Sequence, residues 1–151
     1  MSFSIAFLDE PLSYPYEDPA APAARGVLVL GDAREYFLAS LYEWSKEYYE
    51  SQWRHAIKTL LLEKGKAALI TTYGSPENAT HLEWWPMYVA EDAVFVQDHL
   101  LFYDRLTKPF SAQNAFSFLR DRQTTNEDGK AISEWMVNFS DVKEFAREFS
   151  V

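Results

Sequence analysis

The chain contains no cysteine among its 151 residues. Disulfide bonds, thiolate zinc sites and cysteine nucleophiles are therefore excluded, and the absence fits a cytoplasmic protein. The chain also lacks a run of about 18 apolar residues, which a transmembrane helix would need. Its first residues, MSFSIAFLDEPL, have no basic region of the kind that begins a secretory signal peptide. We therefore expect a cytoplasmic chain that does not associate with a membrane.

Catalytic motifs are also missing. The chain has five glycines, none of them clustered, so it has neither a phosphate-binding glycine loop nor a dinucleotide fingerprint. It has no G-x-S-x-G and no H-E-x-x-H sequence either. Asp98 and His99, with Glu83 or Asp104 nearby, could bind a metal or orient a base, but neighbouring residues on a strand point to opposite faces. We therefore predict no catalytic residue, no metal site and no cofactor.

Acidic residues are abundant and unevenly distributed. The net charge is −9, and residues 1–50 alone hold nine acidic against three basic residues. Such a surface repels nucleic acid and anionic lipid and attracts a basic protein partner, although acidity can also serve solubility alone. The sequence therefore predicts no nucleic-acid binding, and it leaves the oligomeric state open.

Residues 9–26 (DEPLSYPYEDPAAPAARG) combine four prolines with tyrosines and carboxylates. Proline removes a backbone donor and disfavours helix in the residue before it, which predicts an extended surface segment. One interpretation is an ordered arm that packs its tyrosines on the domain. The other is an acidic and aromatic contact surface for a partner, formed by Glu10, Tyr14, Tyr16, Glu17 and Asp18.

Residues 81–105 (HLEWWPMYVAEDAVFVQDHLLFYDR) predict two strands joined by a turn at Glu91-Asp92. In the second strand, one face should be buried, and it carries the apolar residues Val94, Val96, Leu100 and Phe102. Asp98 shares that face, so its carboxylate must be hydrogen-bonded, displaced by a bulge or exposed in a functional groove, and we interpret it as hydrogen-bonded or bulged. The Trp84-Trp85 pair places one indole on each face. Either both rings are covered, or Trp85 stays near the surface beside Glu83 as a partner contact.

The rest of the chain predicts a mixture of strands and helices. Short apolar runs indicate strands at 3–8, 27–30 and 67–73, and a hairpin is expected around the Asn126–Gly129 turn. Helices are expected from Asp32 to Leu41, from Ser45 to Glu63 with a left-handed stop at Gly65, and from about Asp141 onward. This order predicts an α+β fold, one domain spanning 1–151, with a mainly antiparallel β-sheet and helices packed on one face.

These segments together resemble a family of bacterial immunity proteins from contact-dependent growth inhibition systems. The resemblance runs over nearly the whole chain and is carried by the segments FLDEPLSYPYEDPAAP, GVLVLGDAREYFLASLYEWSKEYYESQW, ALITTY, LEWWPMY, VFVQDHLLFYDRL and DRQTTNEDGKAISEWMV. It implies a cytoplasmic protein that binds and blocks the toxin domain of its cognate delivery protein. Toxins of such systems are often nucleases, many of which act on transfer RNA.

The resemblance and the composition agree on a binding protein that is not an enzyme. The expected partner is a basic toxin domain, a nuclease, and the predicted contact residues are the five arm residues together with Glu83 and Trp85. The alternatives are a small enzyme centred on Asp98 or His99 and a structural or regulatory module of a larger assembly.

Overall fold

The computed structural model describes residues 2–9 and 20–151, and all element bounds refer to that part of the chain. Short 3₁₀-helices occupy Tyr103–Arg105 and Ala112–Phe118. The strands and α-helices are, in chain order, β1 Phe3–Phe7, β2 Ala23–Leu30, β3 Ala33–Ser40, α1 Lys46–Glu63, β4 Lys66–Thr72, β5 His81–Ala90, β6 Ala93–Gln97, β7 His99–Phe102, β8 Glu134–Asn138 and α2 Phe139–Glu148.

The strands form two antiparallel sheets. The first has the order β1-β2-β3, and the second has the order β4-β5-β6-β8, with β7 pairing with the first half of β5. Both sheets and both helices contribute side chains to one hydrophobic core. The predicted α+β class with antiparallel strands is confirmed, and the strands form two sheets where one was expected. Among the described residues, no helix is long and apolar enough to cross a membrane.

The prediction of a helix from Asp32 to Leu41 is wrong, because Ala33–Ser40 forms the strand β3. Gly31, with φ of +67°, makes the tight turn from β2 into β3, a conformation that glycine adopts without strain. Buried and exposed side chains then alternate with a period of two, Phe37 and Ala39 being buried and Tyr36 and Leu38 exposed. The Asp-x-x-Glu spacing is therefore a misleading helix signal at this place.

The long helix α1 begins as predicted. The Ser45 side chain accepts a hydrogen bond of 3.1 Å from the backbone N–H of Tyr48, which caps the first turn. The predicted apolar stripe is buried at Tyr49, Trp53, Ala56, Ile57 and Leu60. The helix ends at Glu63 as expected, but Lys64 and not Gly65 takes the left-handed conformation, with φ of +48°.

Helix α1 lies along the edge of β4 and supplies the hydrogen bonds that another strand would provide there. The Nε2 of Gln52 donates to the Ala68 carbonyl (2.8 Å), and its Oε1 accepts from the Ile70 N–H (2.9 Å). The Nε1 of Trp53 donates to the Ile70 carbonyl (2.7 Å). Side chains thus satisfy backbone groups that an unprotected sheet edge would leave unpaired.

The buried hydroxyl of Tyr49 connects the two sheets. It donates to the Ser40 carbonyl at the end of β3 (2.7 Å) and accepts from the Tyr73 N–H just after β4 (2.9 Å). Burial raises the pKa of Tyr49 to about 12, so the hydroxyl keeps the proton that it donates. Thr72 Oγ1 adds a second link by donating to the Leu38 carbonyl (2.7 Å). We call this junction of β3 and β4 the seam.

The hairpin predicted around Asn126–Gly129 is present only in part. Thr125 and Ala131 form an isolated bridge, and residues 120–131 are exposed. The following strand, β8, pairs with β6 and not with the residues before the turn. The sequence therefore locates the turn correctly and overestimates the strands on either side.

Replacing Gln52 with alanine should destabilise the fold, because the Ala68 carbonyl and the Ile70 N–H would lose their partner. We expect the free energy of unfolding, measured by urea denaturation, to fall by about 2 kcal/mol. Gln113→Ala, at an exposed glutamine, is the control and should change it by less than about 0.5 kcal/mol. Equal losses in the two variants would show that Gln52 does not support the edge of β4.

Candidate functional site: an acidic surface at the seam

Most of the predicted contact residues lie outside the part of the chain that the structure describes. These are the arm residues Glu10, Tyr14, Tyr16, Glu17 and Asp18, whose contact role stays a prediction. The other two, Glu83 and Trp85, lie on β5.

Both tryptophans of the Trp84-Trp85 pair are buried. Each residue is 3% exposed, so the interpretation in which one indole stays near solvent is wrong, and the one in which both are covered is correct. Trp85 packs against Trp135 of β8, with 5.5 Å between the ring centroids. A ring so covered cannot itself offer much area to a partner.

Trp85 is nevertheless connected to Glu83 through a bulge in β4. The pairing of β4 with β5 shifts between Ile70 and Thr72, which leaves Thr71 as the extra residue. The buried Thr71 hydroxyl accepts from Trp85 Nε1 (3.2 Å) and donates to Glu83 Oε1 (3.3 Å). The indole therefore positions the Glu83 carboxylate through one hydroxyl group.

Asp98 is not in a bulge. Met87 pairs with Val96 and Trp84 with His99, so the pairs are three residues apart on both strands and the register continues unshifted through Asp98. The side chain therefore stays on the face of the sheet that carries Glu83. The bulged carboxylate, one of the alternatives drawn from the sequence, is therefore wrong.

Two other carboxyl groups affect the pKa of Asp98. Partial burial, followed by the negative charge of Glu83 and a hydrogen bond with its carboxyl group, raises the pKa of Asp98 to about 7. The charge of Glu35, on β3 of the other sheet, adds a weaker contribution in the same direction. Acidic residues of both sheets therefore repel one another at the seam, and a positive partner would relieve this repulsion.

Exposed apolar side chains flank these carboxyl groups. Leu100, which pairs with Glu83 across the strands, is 48% exposed, although its position in the alternation predicts burial. Leu38, whose carbonyl accepts the Thr72 hydrogen bond, is 37% exposed. We define the seam surface as Glu35, Leu38, Glu83, Asp98 and Leu100.

A second acidic group, Glu43, is used to hold a turn. Its carboxylate accepts from the Ser75 N–H (2.5 Å) and from Asn78 Nδ2 (3.2 Å). Burial alone would raise the pKa of Glu43, but these hydrogen bonds outweigh it and the pKa is lowered. Glu43 therefore remains ionised and fixes residues 74–79, which line a surface depression together with the exposed Tyr42.

The alternative centred on Asp98 and His99 is not assembled as a site. Asp98 lies with Glu83 on one face of the sheet, whereas Nε2 of His99 contacts Gln97 Oε1 (2.7 Å) on the other. Within residues 2–9 and 20–151, no group of three His, Cys, Asp or Glu side chains is placed to hold a metal ion.

Sequence reasoning identifies Glu83 but misses the group to which it belongs. Because the sequence predicts a helix from Asp32 to Leu41, it gives no reason to place Glu35 near β5. It also leads to the interpretation of Asp98 as a structural carboxylate. The sequence signal that could have revealed this group is the position of Asp98 between Val96 and Leu100. A carboxylate whose side chain lies on the same face as these apolar residues needs polar partners on that face. The partner from the other sheet cannot be inferred without the packing of β3 against β4.

Comparisons with known proteins agree in pointing to one group. The sequence profile of the family described as CdiI N-terminal domain matches residues 39–145. The chain is 28% identical over 118 residues to "Immunity protein CdiI" of Enterobacter cloacae subsp. cloacae, covering 78% of this chain and 81% of that protein. Its fold is similar to a chain of the "CdiA-CT/CdiI toxin and immunity complex from Enterobacter cloacae", with a TM-score of 0.87, 26% identity and 99% of each chain covered.

Removing the charge of Asp98 should stabilise the protein at neutral and alkaline pH. Its folded pKa of about 7 lies above the ordinary value of 3.8, so ionisation costs the folded state stability as pH rises through this interval. We expect Asp98→Asn to raise the melting temperature by about 2 °C at pH 8, with a smaller gain toward pH 4. The control is Asp92→Asn, at an exposed turn. A gain in melting temperature for Asp98→Asn that does not depend on pH would show that ionisation of Asp98 does not destabilise the fold.

Proposed function

The chain belongs to the CdiI immunity protein family of contact-dependent growth inhibition systems, and from that premise we propose that it binds and neutralises the C-terminal toxin domain of its cognate CdiA protein. The observation that carries the proposal is the similarity in fold, over 99% of both chains, to a member of a toxin and immunity complex. We take residues 1–151 as one immunity domain. It acts as a binder and not as an enzyme, and it does so in the cytoplasm, where an internalised toxin would meet it.

We place the toxin contact on the seam surface, together with the arm at residues 9–18. The seam surface combines carboxyl groups with exposed leucines, and such a combination gives both charge complementarity and buried apolar area. Glu83 and the arm carboxylates Glu10, Glu17 and Asp18 would face basic side chains of the toxin. Trp85 contributes by positioning Glu83 through Thr71.

The toxin that fits this surface has a basic cleft of the kind that binds RNA. Such a toxin is a nuclease, and its targets include transfer RNA. Carboxylates set against catalytic Lys, Arg or His side chains take the place of substrate phosphates and form charge-assisted hydrogen bonds. Repulsion among Glu35, Glu83 and Asp98 in the free protein would be relieved by such cations. The negative electrostatic potential of these carboxylates would also speed association with a basic toxin.

The test is co-expression and binding with the C-terminal domain of the CdiA protein encoded beside this gene. The wild-type chain should rescue growth and bind that domain tightly. Replacing Glu10, Glu17 and Glu83 with glutamine and Asp18 with asparagine should lower the association rate constant by about 10-fold at low salt, because opposite charges steer the encounter.

The matched control changes the same number of charges elsewhere, with Glu63, Glu144 and Glu148 replaced by glutamine and Asp92 by asparagine. These side chains are exposed and lie outside the proposed contact. The control should keep an association rate constant within about threefold of the wild type. Equal slowing of both variants would assign the effect to net charge, and no slowing of either would remove the electrostatic part of the proposal. Failure of the wild type to bind the neighbouring toxin would refute the function.

A further inference from the structure

The loop between β4 and β5 lines an open surface depression of about 950 Å³. Most of residues 73–80 contribute to its walls. The remaining walls come from Ser40 and Tyr42 at the end of β3, from Thr72 at the end of β4 and from His81 at the start of β5. The depression therefore lies where both sheets meet.

The depression is continuous with the seam surface. Thr72, in its wall, pairs with Glu83 across the strands and donates to the Leu38 carbonyl (2.7 Å), and both of these residues belong to the seam surface. His81, also in the wall, lies two residues before Glu83 on β5, so the two side chains are on the same face of the sheet. A partner bound at the seam would therefore extend over the depression.

The walls of the depression are fixed by side chains from three directions. The Glu43 carboxylate holds the loop through the two hydrogen bonds described above, and the Tyr103 hydroxyl donates to the Gly74 carbonyl. The Tyr73 ring stacks on Trp44, with 4.0 Å between the centroids and 9° between the planes. A loop that is already ordered loses less conformational entropy when it binds a partner.

An aromatic ring is presented at this depression. Tyr42 is 67% exposed, although its backbone N–H is held by Ser40 Oγ (3.3 Å). Aromatic side chains are enriched at protein interfaces, and the face of a tyrosine ring attracts a cation. The exposed ring therefore favours a positively charged occupant with a flat surface.

The charges of the depression favour the same kind of occupant. Glu43 and Glu77 both line it, and in the part of the chain that the structure describes the lining holds no lysine or arginine. Burial, followed by the negative charges of Glu43 and Glu77, raises the pKa of Tyr73, so both charges act on the interior of the depression. No described residue gives the Glu77 carboxylate a hydrogen bond or an ion pair. Its acceptor oxygens are therefore available to a partner.

We propose that this depression is a part of the toxin contact that takes an arginine side chain, whose guanidinium lies against the Tyr42 ring and donates to the Glu77 carboxylate. The assignment of the arginine to the toxin rests on the proposed function. Arginine fits better than lysine because its planar guanidinium stacks on a ring and donates two parallel N–H groups to a carboxylate.

The first test measures the dissociation rate constant of the complex with the cognate toxin domain. A charge that only steers the encounter changes the association rate constant, whereas loss of a direct contact speeds dissociation. At about 0.15 M salt we expect Glu77→Gln to raise the dissociation rate constant by about 10-fold and Tyr42→Ala by about fivefold. Both side chains are exposed, so the melting temperature of the free protein should not change.

Each variant has a matched control. Glu127→Gln removes an exposed carboxylate from the 120–131 segment, and Tyr42→Phe keeps the aromatic ring. Both controls should dissociate within about twofold of the wild type. Wild-type dissociation of Glu77→Gln and Tyr42→Ala, or equal acceleration in Glu77→Gln and Glu127→Gln, would overturn the proposal.

The second test needs no toxin. N-acetyl-arginine amide, titrated into the wild-type protein at millimolar concentration, should shift the NMR amide signals of Gly74, Glu77 and Asn78, and Glu77→Gln should abolish these shifts. The neutral citrulline analogue should cause no shifts. Absence of shifts with the arginine compound, or equal shifts with the citrulline or lysine analogue, would overturn the choice of arginine. Failure of the wild type to bind any toxin would refute the proposed function and the toxin as occupant, while the arginine shifts would still establish the chemistry of the depression.

Discussion

The structure depends on the way α1 closes the edge of β4. Gln52 and Trp53 satisfy three backbone groups of that strand, and Tyr49 joins its end to β3. A buried backbone group without a partner is costly, so these side chains specify where the helix must lie. Because the same helix contacts both sheets, the position of one sheet relative to the other follows from one row of side chains.

That constraint explains how like charges can stay together at the seam. Glu83 and Asp98 belong to one sheet and Glu35 to the other, and their repulsion favours separation of the sheets. The Tyr49 and Thr72 hydrogen bonds hold β3 against β4 in spite of it. Natural proteins often accept such locally unfavourable arrangements where they bind a partner. The acidic seam is therefore consistent with a surface prepared for cations of a toxin.

The sequence predicts the elements whose signals are local. The Ser45 cap and the apolar stripe locate α1, and short apolar runs locate the strands of the second sheet. Prediction fails at β3, where a capping-box spacing coincides with a strand, and at Asp98, whose partners come from other strands. Burial of both Trp84 and Trp85 also depends on tertiary packing, which residue spacing alone does not encode.

The most direct test of the account is a hydrogen-exchange footprint of the chain with and without its cognate toxin domain. Toxin binding should slow amide exchange in β3 and in residues 81–84 and 98–102, which carry Glu83 and Asp98, and it should leave α2 unchanged. Protection confined to α2, with unchanged exchange at the seam, would contradict the account.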